Sequence, residues 1–107
     1  MIGPLPSFDA ALVLRVGGDV VYSHGDTGRV FPLASVTKPI VAWSVLVAVE
    51  RGLISLDDPA GPEGATVRHL LAHASGLPFE GRRPVAAPGK RRIYSNEGFD
   101  ILGEVVA

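Results

Sequence analysis

From Phe8 to Val16 the chain is almost continuously apolar, through Ala10, Ala11, Leu12, Val13, Leu14 and Val16. Gly17-Gly18-Asp19 follows, then Val20-Val21-Tyr22. Two β-prone runs around a Gly-Gly pair predict a hairpin over about residues 8–24. The first run does not alternate polar with apolar positions, a pattern typical of strands covered on both faces. An isolated two-stranded hairpin is marginal in water, so this one calls for more strands and helices than the remaining sequence supplies. Residues 24–32 carry Gly25, Asp26, Gly28 and Pro32 and read as loop. Residues 36–51 mix β-branched positions (Ile40, Val41, Val45, Val47, Val49) with Ala42, Leu46 and Ala48. Their uninterrupted length and the Gly52 stop predict a helix. It is apolar nearly all round, which predicts a buried central helix.

Leu56 to Gly64 is a turn-rich connector. Thr66 is placed to cap a short helix over about 67–73, closed by Gly76 and Pro78. Residues 77–92 are a loop rich in Pro and Arg. Ser95 or Asn96 caps a last helix, with Glu97 in its first turn, where a negative charge is favoured. Phe99, Leu102, Gly103 and Val106 give that helix one apolar face. There is no internal repeat.

Composition narrows the function classes. At 107 residues the length suits about one domain. An apolar fraction of 47% argues against disorder. A net charge of -1 argues against a dedicated nucleic-acid binder. Cysteine is absent, which removes disulfides, thiolate metal ligands and thiol nucleophiles. The stretch Pro39–Val49 is 11 residues, short of the roughly 20 that a spanning helix needs. No basic segment precedes an apolar one at the N-terminus, so the expectation is a cytoplasmic protein, or a chain already processed or cut.

Two clusters carry candidate chemistry. Ser35-Val36-Thr37-Lys38 enters the long apolar helix, and residues three apart share a helix face. A serine hydroxyl beside a basic group can attack a carbonyl and pass on its proton without a histidine. A lysine amine is a poor base unless desolvation or neighbouring positive charge favours its neutral form. The helix start supplies such a field and also favours a developing oxyanion, toward which the Ser35 backbone N–H is placed. The competing reading is a serine that merely caps the helix, since Ser-x-x-Lys is a common spacing. The second cluster is Tyr94-Ser95-Asn96. A nearby ammonium lowers a phenol's pKa, so Tyr94 beside Lys38 would serve as a proton shuttle. The Asn96 amide would bind a substrate carbonyl and fix Lys38. The competing reading is a helix cap beside a half-buried tyrosine. His73 is chemically suited to be a general base. His24 and His69 lack partners at metal-ligand spacing, so no metal site is expected.

Four ordered stretches together resemble the serine β-lactamase and penicillin-binding-protein-like superfamily, in the branch of class C β-lactamases, esterases and D-Ala-D-Ala carboxypeptidases. They are Phe31-Pro32-Leu33-Ala34-Ser35-Val36-Thr37-Lys38-Pro39, Glu50-Arg51-Gly52-Leu53-Ile54-Ser55-Leu56-Asp57-Asp58-Pro59, Leu70-Leu71-Ala72-His73-Ala74-Ser75-Gly76-Leu77-Pro78, and the segment from Pro88-Gly89 through Tyr94-Ser95-Asn96-Glu97-Gly98-Phe99 to Leu102-Gly103. The resemblance covers about residues 10–107. It implies an α/β (α+β) β-lactamase/transpeptidase-like fold, an antiparallel sheet with a helical subdomain. Residues 1–107 would be the N-terminal part of one such domain, with a strand hairpin at about 8–24 and a helical subdomain at about 35–107. It implies Ser35 as acylated nucleophile, Lys38 as general base or its partner, and Tyr94 in the second proton-transfer role. Asn96 becomes a substrate-amide contact, and His73 belongs to a structural turn beneath the site. Substrates would be small esters, amides or D-amino-acid peptides, with no cofactor.

One departure matters. The family's third motif, a Lys-Thr-Gly or His-x-Gly type segment on a distant strand, has no counterpart after Asn96. The expectation is therefore a fold incomplete at the C-terminus, with little turnover, since losing one oxyanion donor costs about 10²–10³ in rate. The alternative is a catalytically inactive fragment or ligand-binding remnant of that fold. A bare sheet edge would also permit self-association. Arg82, Arg83, Lys90, Arg91 and Arg92 concentrate positive charge in one loop. Without interleaved aromatic residues for base stacking, that loop reads as a solvated surface, and no nucleic-acid partner is expected.

Overall fold

A computed structural model describes residues 7–107. The elements are β1 (Leu12–Val16), β2 (Asp19–His24), a 3-10 turn (Ala34–Val36), α1 (Thr37–Glu50), α2 (Val67–Leu71) and α3 (Asn96–Val106). They fall into two compact units, one ending at Pro32 and one spanning Leu33–Ala107.

The first unit is the predicted hairpin. β1 and β2 pair antiparallel, with Leu12 opposite His24 and Val16 opposite Asp19. Gly17 and Gly18 turn the chain at φ 59° and 89°, values that exclude most side chains and suit a two-residue hairpin loop. The register shifts between Leu14, which faces Tyr22, and Arg15, which faces Val20. Val21 is the extra residue of a β-bulge there. Arg15 donates to the Gly18 carbonyl and braces the turn. The hairpin itself does not supply the cover that its strand faces call for. Val13 and Leu14, which point to opposite faces, are 47% and 44% exposed. A two-stranded ribbon has no second layer of its own to cover them.

The second unit holds the core. Val45, Val67, Leu70, Leu77, Phe99 and Leu102 form one buried cluster, joining α1, α2, α3 and the loop after α2. α3 follows the sequence reading: Phe99 and Leu102 are buried, and Ile101, Val105 and Val106 pack at the margin. α1 departs from it. Only Val45 is fully buried, and Trp43 is 71% exposed. α1 is apolar over more of its circumference than α3 contacts, so Ile40, Trp43 and Leu46 are left exposed. α1 stops where Gly52 predicts. The Gly52 N–H bonds to the Val49 carbonyl and the Leu53 N–H to that of Ala48, a Schellman closure with Gly52 at φ 71°.

The connector from 55 to 66 is tied to α2 by backbone bonds from Val67 to Asp58 and from Arg68 to Leu56. Thr66 caps α2 as expected. Here a histidine completes the capping box: His69 Nδ1 accepts from the Thr66 N–H at 3.1 Å. α2 ends two residues earlier than the sequence suggests. The chain turns at His73, which adopts a left-handed φ of 56° that no helix tolerates.

Candidate active site

Ser35 lies in the 3-10 turn that leads into α1, so it precedes Lys38 by one turn. Neither the 3-10 turn nor α1 has a side-chain cap. The Ser35 hydroxyl is therefore not a helix cap. It accepts from the Tyr94 hydroxyl at 2.6 Å and from Lys38 Nζ at 3.4 Å. The residue before it, Ala34, has φ 48°. A left-handed alanine is strained, and strain of this kind concentrates where a neighbouring side chain must be aimed.

Tyr94 is brought to Ser35 by the stretch after α2. The Ile93 N–H bonds to the His73 carbonyl at 2.7 Å, and the Asn96 N–H to the Phe79 carbonyl at 3.0 Å. Between them the Ser95 N–H donates to His73 Nδ1 at 3.0 Å. Residues 73–79 thus form a template against which 93–96 is laid. Ser95 has extended backbone, φ -135° and ψ 119°. In extended chain, alternate side chains project to opposite sides. Ser95 is buried and caps α3 by accepting from the Gly98 N–H at 3.0 Å. Tyr94 and Asn96 flank it and face the site. The choice between Ser95 and Asn96 as cap is thereby settled, and Asn96 is free for other contacts.

Asn96 Oδ1 accepts from Lys38 Nζ at 2.6 Å. Its Nδ2 donates to Glu80 Oε1 at 2.7 Å. Lys38 Nζ also stands 4.6 Å from the centre of the Tyr94 ring, within cation–π range. The structure thus brings together Ser35, Lys38, Tyr94 and Asn96, all four residues singled out in the sequence. The Lys38 ammonium first, then the Ser35 hydroxyl, holds the Tyr94 phenol below its ordinary pKa.

His73 sits beneath this group. Its ring lies 4.8 Å from that of Tyr94 and 5.0 Å from that of Phe99. Burial, and then the positive charges of Arg92 and Lys38, push its imidazole below the usual value. Nδ1 is an acceptor for the Ser95 N–H, so the ring is held neutral, with its proton on Nε2. It supports the tyrosine segment and does not reach Ser35 by hydrogen bond.

A pocket of about 570 Å³ opens over the serine, lined by Ser35, Lys38, Pro39, Ala42, Tyr94 and Phe99 among others. A second, of about 380 Å³, is bordered by Thr37, Lys38, Glu80, Asn96 and Asp100. Glu80 is the site residue that the sequence reading missed. It is a lone carboxylate in a Pro- and Arg-rich loop, and nothing in its spacing marks it. Arg82, two residues on, bonds Glu97 at 2.9 Å and Glu104 at 2.6 Å, fastening this loop to α3. Among the described residues no group of three or more His, Asp or Glu is arranged to hold a metal ion. No described helix is long and apolar enough to cross a membrane.

A serine hydroxyl, with an amine and a phenol converging on its oxygen, stands at the entrance to an apolar helix. Comparison with known proteins shows the family. The Beta-lactamase family matches residues 8–107. Penicillin-binding protein 4* of Bacillus subtilis is 32% identical, over 98% of this chain and 33% of that protein. Esterase EstB of Burkholderia gladioli is 45% identical, over 65% of this chain and 24% of its own. The crystal structure of a β-lactamase from Mycobacterium bovis superposes with a TM-score of 0.76 at 56% identity, covering 91% of this chain and 35% of that one. The chain belongs to the β-lactamase family, of the serine β-lactamase and penicillin-binding-protein-like superfamily. It spans about a third of the length of these relatives or less.

Proposed function

We propose that this chain carries the nucleophile of a serine hydrolase that works through an acyl-enzyme on Ser35, with small esters, amides or D-amino-acid peptides as substrates. The observation that carries the reading is the 2.6 Å contact between the Tyr94 hydroxyl and Ser35 Oγ, with Lys38 Nζ on the same oxygen. The downward displacement of the Tyr94 phenol favours Tyr94 as the base and Lys38 as the charge that favours its ionised form.

As a phenolate, Tyr94 takes the Ser35 proton while Oγ attacks the substrate carbonyl. The new C–O bond places negative charge on the former carbonyl oxygen, and the Ser35 backbone N–H donates to it. Collapse of that adduct expels the alcohol or amine, which leaves with the proton from Tyr94. Water then repeats the sequence on the acyl-enzyme and releases the acid. Through this cycle Asn96 holds Lys38 by Oδ1 and offers its remaining N–H to a substrate carbonyl.

The test is intact-mass analysis after incubation with a fluorophosphonate or a β-lactam, alongside hydrolysis of a chromogenic ester. The expected result is one covalent adduct, lost in Ser35→Ala. A folded sample with no adduct overturns the proposal. An adduct without turnover of the ester marks the chain as a remnant that retains the acylating serine.

A further inference from the structure

Asn96 lies between two partners of opposite capability. A lysine ammonium only donates, and an ionised carboxylate only accepts. Lys38 Nζ is 2.6 Å from Oδ1, and Glu80 Oε1 is 2.7 Å from Nδ2. The two ends of an asparagine amide are alike in shape, so its orientation follows from its partners. These two leave a single orientation. We infer that Glu80 is a positioning residue of the Ser35 site: its carboxylate fixes the Asn96 amide with Oδ1 toward Lys38, and through Asn96 it holds Lys38 against Ser35 and Tyr94. The catalytic consequence rests on the serine-hydrolase reading; the positional one does not.

Glu80 is itself held in place. Its neighbour Phe79 accepts from the Asn96 backbone N–H and stacks on Tyr94, with ring centres 5.9 Å apart. On its other side Arg82 clasps Glu97 and Glu104 of α3. The carboxylate is thus delivered to the first residue of α3 by a loop fastened before and after it. A hydrogen bond to an ionised group is stronger than one between neutral groups, so this contact biases the amide firmly. It uses one of the two Nδ2 protons and leaves the other for a substrate carbonyl.

Without Glu80, Lys38 alone selects the orientation of Asn96, and the amide gains freedom about its last torsion. Its turned states present an NH₂ group to the Lys38 ammonium, a donor facing a donor. Lys38 then loses its shortest contact and drifts from Ser35 and from the Tyr94 ring. A displacement of about 1 Å in such a site can cost 10²-fold in rate, and a partial loss of order here should cost about 10-fold.

The test uses the whole chain in a Tyr22→Phe background, which leaves Tyr94 as its single tyrosine. Tyr94 ionisation is followed by ultraviolet absorbance. Ser35 labelling by a fluorophosphonate is timed by mass spectrometry, and thermal melting confirms folding. The charged groups around Tyr94 are Lys38, the Glu80 carboxylate on the far side of Asn96 and, beyond His73, Arg92. His73 is already neutral over the range in which a phenol titrates. Glu80→Ala should move the Tyr94 midpoint up toward an ordinary phenol's value of about 10 and slow labelling about 10-fold. Glu80→Gln, which keeps an acceptor oxygen, should restore most of both. Glu80→Lys should reverse the amide and slow labelling more than Ala does, which a merely structural loop contact would not do. A folded Glu80→Ala whose Tyr94 titrates as in the parent overturns the inference. A parent that is never labelled, but whose Tyr94 midpoint still moves on Glu80→Ala, sinks the hydrolase reading alone.

Discussion

The Tyr94 hydroxyl donates to Ser35 Oγ at 2.6 Å, although the two residues lie 59 apart in sequence. Tyr94→Phe removes this contact and keeps the ring between His73 and Phe79. Labelling of Ser35 should fall by about 10²–10⁴, the usual worth of a positioned acid or base. Because Tyr94 is 37% exposed, the thermal midpoint should barely move. Mass spectrometry and a melting curve on one sample check both. Unchanged labelling would remove Tyr94 from the proton path.

Labelling should also depend on pH through the phenol. The reactive form requires Tyr94 ionised, so the rate should rise with pH, with a midpoint below that of an ordinary tyrosine. Lys38→Met removes the ammonium that lowers it, and the midpoint should move up. A pH–rate profile of the two proteins decides. A profile that Lys38→Met leaves in place would argue that another group sets the rate.

His73 makes stability depend on pH in a definite direction. In the unfolded chain its imidazole gains a proton near pH 6.5. In the folded chain burial and two neighbouring cations push that event lower. The unfolded state therefore binds more protons as pH falls, and stability declines below about pH 6.5. The decline ends once the folded imidazole is protonated as well. Urea midpoints measured from pH 8 to pH 5 should show this, and His73→Asn should remove that part of it. Asparagine tolerates the left-handed backbone at this position.

Two glycines separate backbone strain from collision. Gly76 has φ 92°, and a methyl group there would lie 1.9 Å from the Ala86 carbonyl oxygen. Gly81 has φ 93° with open space around it. Gly81→Ala should cost about 1–2 kcal/mol from the left-handed backbone alone. Gly76→Ala should cost at least about 2–4 kcal/mol, because the loop must also move off the 73–79 template. Chemical denaturation of the pair reads the difference, and equal losses would show that the loop yields freely.

Much of this was legible in the residue order because it rests on local rules. Gly17-Gly18 specifies a hairpin turn, Gly52 a Schellman closure, and Thr66 a cap, each within a few residues. The apolar face of α3 is a simple periodicity. The pairing of Ser35 with Lys38 follows from one helical turn. Family likeness, and no local rule, was needed to bring Tyr94 to them, since that contact depends on backbone bonds from His73 and Phe79. The exposed side of α1 was not legible, because an apolar residue states a preference and not whether a neighbour meets it. Glu80 was missed for a related reason. Its role comes from where a loop sets it down, and a single carboxylate leaves no periodicity or spacing to read.

The extended backbone at Ser95 makes the tyrosine segment sensitive to length as well as to composition. Its two site-facing side chains and the core-facing one between them are sorted only by parity. Lengthening or shortening this short span by one residue would trade their destinations, driving a phenol or an amide into the space Ser95 fills and leaving α3 uncapped. Such an indel would be far more damaging than many single substitutions on either side, although the overall residue content would hardly change.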